Sequence, residues 1–466
     1  MTPLINRFNV FDKKYVFDAN TNAILPLNDR QWFLVEEIEK GEISGEAKEL
    51  LDSFQKHGYF LEPDIQKIEH PETNAVKYYL DRKIQKLTLQ VTQSCNLRCD
   101  YCFYSDMYET RPHAIKKMSF ETAKKAIDYV LNHSVDEVNL NIGFYGGEPL
   151  LEMDLIDKCI LYTREKSGAK NLSFTITTNG TLLTPEIYEQ LAENDFAIMV
   201  SLDGPKPVHD SARRYPNGRG SFDNIMENIV NIQDRYPEAK DRIKFLAVAH
   251  PESNDSCAEK LYTLDDVLPE YGFNLSFVTE MYTDEEIVYG KELSMVHTQV
   301  MTKLYLFMLG KLDGSKVSRL LLDKIGQLHT KHRFLRRIKK LPKVFHPGGP
   351  CLAGVHRLFV NVDGVFYPCE RISELSDVMK IGDVDNGISA EKASTLNNVG
   401  KTTEEECKKC WAIQHCTLCA AFSDVLTGLS KEKRLKKCNN TRSGVEEIMK
   451  NICFLKTNGY DFENNN

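Results

Sequence analysis

No run of about eighteen apolar residues, the length that crosses a bilayer as a helix, occurs in this 466-residue chain, so neither a transmembrane segment nor a membrane partner is expected. The opening stretch, MTPLINRFNVFDKKYVFD, lacks an apolar segment behind a basic start, so no secretory signal is expected. A basic excess is also missing. The net charge is −8, which argues against nucleic acid as the main partner. The thirteen cysteines lack the even count, and the chain lacks the shortness, of a secreted disulfide scaffold. Clustered thiols without a secretory signal read as metal ligands in a reducing cytosol, so the expected location is cytoplasmic. Cys159, Cys257 and Cys453 stand outside the clusters and are expected to be buried, inert side chains. At 42% hydrophobic and 27% charged, the chain as a whole is neither disordered nor membrane-spanning.

What is present divides the chain. Residues 1–65 read as a small module. Short strand-like runs (RFNVF, KYVFD, AILPL) precede two helical patterns, one with Trp32, Val35 and Ile38 on one face and one with Ala47, Leu50, Leu51 and Phe54. YFL at 59–61 is expected to close the module as a strand, giving a winged-helix-like unit. Residues 66–83 read as a polar linker. From 84 to 310 strand-like and helical patterns alternate, with strands expected at 87–92, 138–146, 172–178, 196–203, 244–250 and 275–280. That pattern predicts an α/β fold with parallel strands in a partial (β/α)6 TIM-like barrel, chemistry lying at the C-terminal strand ends. A helical bridge (311–350) includes the basic stretch KHRFLRRIKKLPK, expected to be a solvated face. Residues 351–450 are cysteine-rich and irregular, and the tail 451–466 is expected to fray.

QSCNLRCDYCFYS follows the first expected barrel strand and carries Cys95, Cys99 and Cys102. Three thiols are one too few for a structural zinc site, which is closed by four ligands. They suit a cubane iron–sulfur cluster with one iron left open to chelation by a small molecule. On spacing alone an incomplete zinc site or a redox pair of Cys99 and Cys102 remains open.

The surrounding motifs resolve this. C-x3-C-x2-C with Tyr101 before the last cysteine, GGEPLL at 146–151, TTNGTLL at 177–183 and VSLDGP at 200–205 stand in order at successive strand ends. Together they resemble the radical S-adenosylmethionine (SAM) superfamily. The resemblance implies a [4Fe–4S] cluster on Cys95, Cys99 and Cys102 and a SAM pocket. Gly146 and Gly147 would allow close backbone approach, and Glu148 would pair with the methionyl ammonium. Thr178, Asn179 and Ser201 are the candidates for ribose and methionyl contacts. The family's chemistry is reductive cleavage of SAM to a 5′-deoxyadenosyl radical that takes a hydrogen atom from substrate.

SLDGPKPVHDSARRYPNGRGSF (201–222) resembles the branch that modifies peptides and proteins, which includes anaerobic sulfatase-maturating and thioether-forming enzymes. Arg213 matches the arginine after His-Asp, with a role at SAM, at a substrate carboxylate or in a salt bridge. The C-terminal cysteines resemble the SPASM domain, a cap with auxiliary [4Fe–4S] clusters, except that Cys416 and Cys419 are spaced C-x2-C where C-x3-C is usual. The resemblance assigns Cys407, Cys410, Cys416 and Cys438 to one auxiliary cluster, and Cys351, Cys369 and Cys419 to another. Three clusters in all are thus expected. The second auxiliary set is one ligand short, so either a substrate thiolate meets an open iron or Cys453, His356 or another residue closes it. The N-terminal module resembles the RiPP recognition element, which binds a leader peptide along a sheet edge.

The resulting expectation is a peptide maturase that forms thioether crosslinks at a non-α carbon. Residues 1–65 would hold the leader, the barrel would hold the core peptide, and a flavodoxin or ferredoxin would be the electron donor. Alternatives are a formylglycine-generating sulfatase maturase, a carbon–carbon crosslinking maturase, and a non-catalytic iron–sulfur electron carrier or scaffold.

Overall fold

The computed structural model describes residues 3–249, 268, 271–283, 287, 291–314, 319–349 and 351–464. Cys257 lies outside these residues, as do the end of the expected strand at 244–250 and most of the connection that follows it.

Strands β1 (Ile5–Val10), β2 (Lys13–Asp18) and β3 (Ala23–Leu27) form an antiparallel meander, with β3 at one edge. Asn28 caps helix Asp29–Lys40 through a reciprocal bond with Gln31, and Gly41 ends it in the left-handed conformation. Helix Gly45–Lys56 follows, capped by Ser44. Val16, Val35, Ile38, Ala47 and Phe60 make the core between sheet and helices. The stretch at 59–61 is a loop, not the expected strand. Phe60 has a positive φ of 55°, its ring stacks on Phe54, and its N–H donates to Asp18 at 3.2 Å. The aromatic plugs the core, and a side chain takes the N–H that a ladder would have needed.

Residues 66–83 are ordered rather than a bare linker. Lys67–Ile68 (β4) pairs in parallel with Val344–Phe345 (β13), and helix Val76–Arg82 buries Val76 and Leu80 in the main core. The periodic apolar positions are few here, so the segment reads as polar.

Strands β5 (Lys86–Thr92), β7 (Asn139–Gly146), β8 (Asn171–Thr178), β9 (Phe196–Ser201), β11 (Ile243–Ala249) and β12 (Gly272–Phe277) pair in parallel in that sequence. Helices Phe120–Asn132, Met153–Lys166, Pro185–Glu193 and Phe222–Arg235 cross between them, each burying one apolar stripe such as Ala123, Ala126, Ile127 and Val130. This is the expected six-stranded arrangement, with β12 three residues earlier than its apolar run suggested, and the sheet stays open. It also extends beyond expectation. On the far side of β5 lie β14 (Leu358–Val360), β15 (Val365–Tyr367), β16 (Gly382–Asp383) and β17 (Gly387–Ile388), with Leu358 paired in parallel to Leu87. The cysteine-rich region is thus continuous with the barrel sheet. Two short strands, β6 (Arg98–Cys99) and β10 (Arg213–Arg214), pair antiparallel at the strand ends.

The basic stretch is only partly a solvated face. Asn22 donates to the carbonyls of Phe334 and Arg336 at 2.7 and 2.9 Å, and Arg337 stacks on Tyr59. The C-terminal helix Cys438–Thr457 packs against the N-terminal sheet, and the tail beyond it docks, with Phe462 buried and stacked on His332. Among the described residues no helix is long and apolar enough to cross a membrane.

Candidate functional site

The loop 93–105 sits at the C-terminal ends of the parallel strands because the following strand clamps it. Gly147 N–H donates to Thr92 O at 3.0 Å and Glu148 N–H to Ser94 O at 2.9 Å. The two backbones lie so close that a Cβ at Gly146 would stand 2.1 Å from Thr92 O, and one at Gly147 2.1 Å from Ser94 O. Gly146 has φ of 145°. The glycine pair is therefore required by contact with the cysteine loop itself.

Glu148 is fully buried and does not face solvent. Its carboxylate accepts from Thr178 Oγ1 (2.7 Å), Leu150 N–H (3.0 Å) and Asn179 N–H (2.7 Å), tying the end of β7 to the end of β8. Burial pushes its carboxyl up to about 7, against these hydrogen bonds. Asn179 Oδ1 accepts from the Thr181 N–H and hydroxyl at 3.0 and 2.7 Å, and its amide donates to Asn96 at 2.8 Å and towards Cys95 Sγ at 3.8 Å. Leu97 N–H also donates to Cys95 Sγ, at 3.4 Å. Thr178 and Asn179, expected to touch a ligand, spend their polar groups on bracing the cysteine loop. Ser201 stands half-buried at the end of β9.

Arg213 is paired with Cys99 across β6 and β10. Its Nη1 lies 4.0 Å from Cys99 Sγ, and its Nε donates to Asp203 Oδ2 at 2.7 Å. Tyr101 OH donates to the same oxygen, and the guanidinium lies over the Tyr101 ring at 5.2 Å. Burial opposes the charge on Asp203, yet Arg213 holds its carboxyl below the usual range. Behind it, Asp203 N–H donates to His209 Nδ1 at 3.3 Å. This places the His209 proton on Nε2, 2.9 Å from Ser221 Oγ, which in turn donates to Arg213 O at 2.9 Å. Burial lowers His209 to about 4, so it is a neutral strut. Sequence reasoning singled out Arg213 and passed over Asp203, His209 and Ser221, although all three lie within the same quoted motif.

Burial raises the Cys95 thiol to about 11 and the Cys99 thiol to about 12, with Arg213 opposing the rise at Cys99. Cys102 is raised for the same reason.

The C-terminal cysteines fall into two sets. Cys407, Cys410, Cys416 and Cys438 line one cavity of about 280 Å3, together with Glu406 and Arg434. Cys351, Cys369 and Cys419 do not line that cavity. Among the described residues no three His, Cys, Asp or Glu side chains converge as ligands of a single ion, and the cysteines are unpaired. Cys159 is a core side chain of the barrel. Cys453 is likewise a core side chain, packed with Leu4, Phe8 and Met449. His356 accepts from Leu352 N–H at 3.1 Å.

Residues 89–264 match the sequence profile of the Radical SAM superfamily. A cysteine-type anaerobic sulfatase-maturating enzyme of Clostridium perfringens is 27% identical over 343 residues, covering 70% of this chain and 85% of the relative. The radical SAM cyclopropyl synthase TigE of Paramaledivibacter caminithermalis is 26% identical over 205 residues, 41% of this chain and 42% of the relative. The chain spans less than half the length of several curated relatives it matches, at 45%, 41% and 42%. Native anSMEcpe with bound AdoMet, a solved structure, shares the fold at a TM-score of 0.60 and 21% identity, covering 80% of this chain and 99% of that one. Residues 89–264, with their clamped three-cysteine loop above an open parallel sheet, thus match the Radical SAM superfamily, and the chain shares its fold with that solved structure.

Proposed function

We propose that the chain matures a ribosomally made precursor peptide by closing thioether bonds between a cysteine sulfur and a non-α carbon of another residue. A radical SAM domain implies a [4Fe–4S] cluster and SAM, and the residues present fit them: three thiols on a braced loop, with two N–H groups aimed at the sulfur of Cys95. When bound, the pair supplies a 5′-deoxyadenosyl radical that takes a hydrogen atom from substrate. Cys95, Cys99 and Cys102 would hold this cluster. Gly146, Gly147 and Glu148 fix the loop from the β7 side, Thr178 and Asn179 fix it from β8, and Tyr101 and Arg213 wall the Cys99 side. Ser201, at the end of β9, is the candidate for direct ligand contact.

The observation that carries the peptide reading is that Cys407, Cys410, Cys416 and Cys438 line one cavity, from whose lining Cys351, Cys369 and Cys419 are absent. On this reading residues 351–450 are a SPASM domain, and three clusters are present in all. The set Cys351, Cys369 and Cys419 leaves a ligand position that suits a substrate thiol, which a crosslink to sulfur requires. Cys453 packs in a core instead of lining either set, which supports an open position. The edge strand β3 supports leader binding by residues 1–65, because it pairs only with β2 within its sheet. The core peptide would then reach the barrel, and a flavodoxin or ferredoxin in the cytosol would supply electrons.

A second reading, formylglycine formation on serine or cysteine, draws support from the sulfatase-maturating relatives. Incubation of reconstituted enzyme with SAM, a strong reductant and a cysteine-rich peptide encoded beside it separates the two. The thioether reading predicts loss of two hydrogen atoms per crosslink, with the cysteine no longer open to alkylation. An aldehyde on the peptide would favour the second reading. Alkylatable cysteines in a crosslinked product would instead point to carbon–carbon bonds.

A further inference from the structure

Arg434 is 1% exposed, on the short helix Lys431–Lys436, and lines the cavity of Cys407, Cys410, Cys416 and Cys438. Its Nη1 donates to Leu418 O at 2.8 Å, on the segment between Cys416 and Cys419. Its Nη2 is buried without a hydrogen-bond partner. Among the described residues no carboxylate pairs with it. Glu406, which lines the same cavity, is taken by Lys431 at 2.6 Å. The other buried arginines beside cysteines each have a carboxylate, although Arg111 Nη2 is likewise buried without a hydrogen-bond partner. Arg213 has Asp203 at 2.7 Å, and Arg111 has Glu374 at 2.7 Å and the face of Tyr104 at 3.7 Å. An uncompensated buried charge is strongly destabilising, so its presence points to an anion that completes the site.

We propose that Arg434 is the counter-charge of the auxiliary cluster held by Cys407, Cys410, Cys416 and Cys438, and that it raises the reduction potential of that cluster. This rests on the reading of those cysteines as cluster ligands. A thiolate-ligated cubane is anionic and gains one more negative charge on reduction, so a fixed buried cation favours the reduced form. The positive charge also lies where water does not screen it. Arg434 is thereby a positioning residue of the auxiliary centre.

The test compares full-length, anaerobically reconstituted wild type, R434M and R434K by iron content and by redox titration followed by electron paramagnetic resonance. Wild type is expected to hold iron for all three clusters. R434M is expected to lose at least about tenfold in the equilibrium constant for reducing one auxiliary cluster, a fall of about 59 mV for one electron. R434K is expected to stay close to wild type. Failure of R434M alone to load that cluster also supports the role of the charge. Full iron with an unchanged potential in R434M overturns the proposal, as does equal loss in R434M and R434K. Iron for only one cluster in the wild type would overturn the cluster reading itself, a result distinct from either.

Discussion

The two cysteine-bearing regions each bury an arginine beside their thiols, and they treat it differently. At the first loop Arg213 is neutralised by Asp203 and locked by Tyr101, His209 and Ser221. In that region Arg213 and Asp203 neutralise each other and the backbones of 92–95 and 146–148 interlock, while Tyr104 OH, Ser105 Oγ and Arg111 Nη2 are buried without a hydrogen-bond partner. In the C-terminal region Arg434 keeps one nitrogen unsatisfied at a cavity lined by four thiols. The first region is braced by hydrogen bonds within the protein, and on our proposal the second is completed by an anion. Pre-organisation suits a site where a radical must be generated in one geometry. A charge held in reserve suits a site whose electron count is to be tuned.

The largest expected effect is complete. On the proposed cluster reading, C95A removes a ligand from the first loop and should abolish release of 5′-deoxyadenosine from SAM, while iron at the C-terminal sets persists. Persistence of SAM cleavage would break the distinction between the regions. Next, D203A strands the Arg213 charge in the interior and should cost about 3–5 kcal/mol in chemical unfolding. Recovery of most of that loss in the double variant D203A/R213M would confirm that the stranded charge is the cause. G147A sets a methyl group against Ser94 O and should cost about 1–3 kcal/mol, with selective loss of iron from the first site rather than from the C-terminal sets.

The smallest effect concerns pH. The carboxyl of Glu148 is raised by burial to about 7 in the folded protein from an ordinary value of 4.5. Between those two values the folded state binds the extra proton, so its contribution to stability is full below about 4.5 and is lost as pH rises to about 7. E148Q should flatten that slope in urea unfolding of the cluster-free protein, whatever it does to overall stability. An unchanged slope would show that Glu148 titrates normally.

Much of this was legible beforehand. Alternation of apolar runs and helical stripes pointed to six parallel strands, because the apolar face of a strand leaves a period-two signal in residues such as Leu87, Leu89 and Val91. The cysteine loop stands out by its spacing, and the glycine pair by the resemblance of GGEPLL and its neighbours to the radical SAM motifs. Other features depend on contacts remote in sequence. The strand β14 joins β5 across more than half the chain, with nothing local to announce it. Phe60 looked like part of a strand because its apolar character fits a strand as well as a core plug. The tail at 451–466 looked polar, yet Tyr460 and Phe462 suffice to dock it. At the site, residue type pointed to these positions, and the structure adds the partners they have within the protein. Glu148, Thr178 and Asn179 are polar residues at strand ends, as ligand contacts would be, but their hydrogen bonds go to one another and to the cysteine loop. Arg434 carried no signal at all, since one arginine among surface lysines reads as solvent-exposed until its burial is seen.

The most direct test of the account as a whole is iron and sulfide content measured beside 5′-deoxyadenosine release on anaerobically reconstituted protein. About twelve irons per chain, with SAM cleavage under a strong reductant, is the predicted result, for one catalytic and two auxiliary clusters. About four irons per chain, with the C-terminal cysteines free or holding zinc, would contradict it.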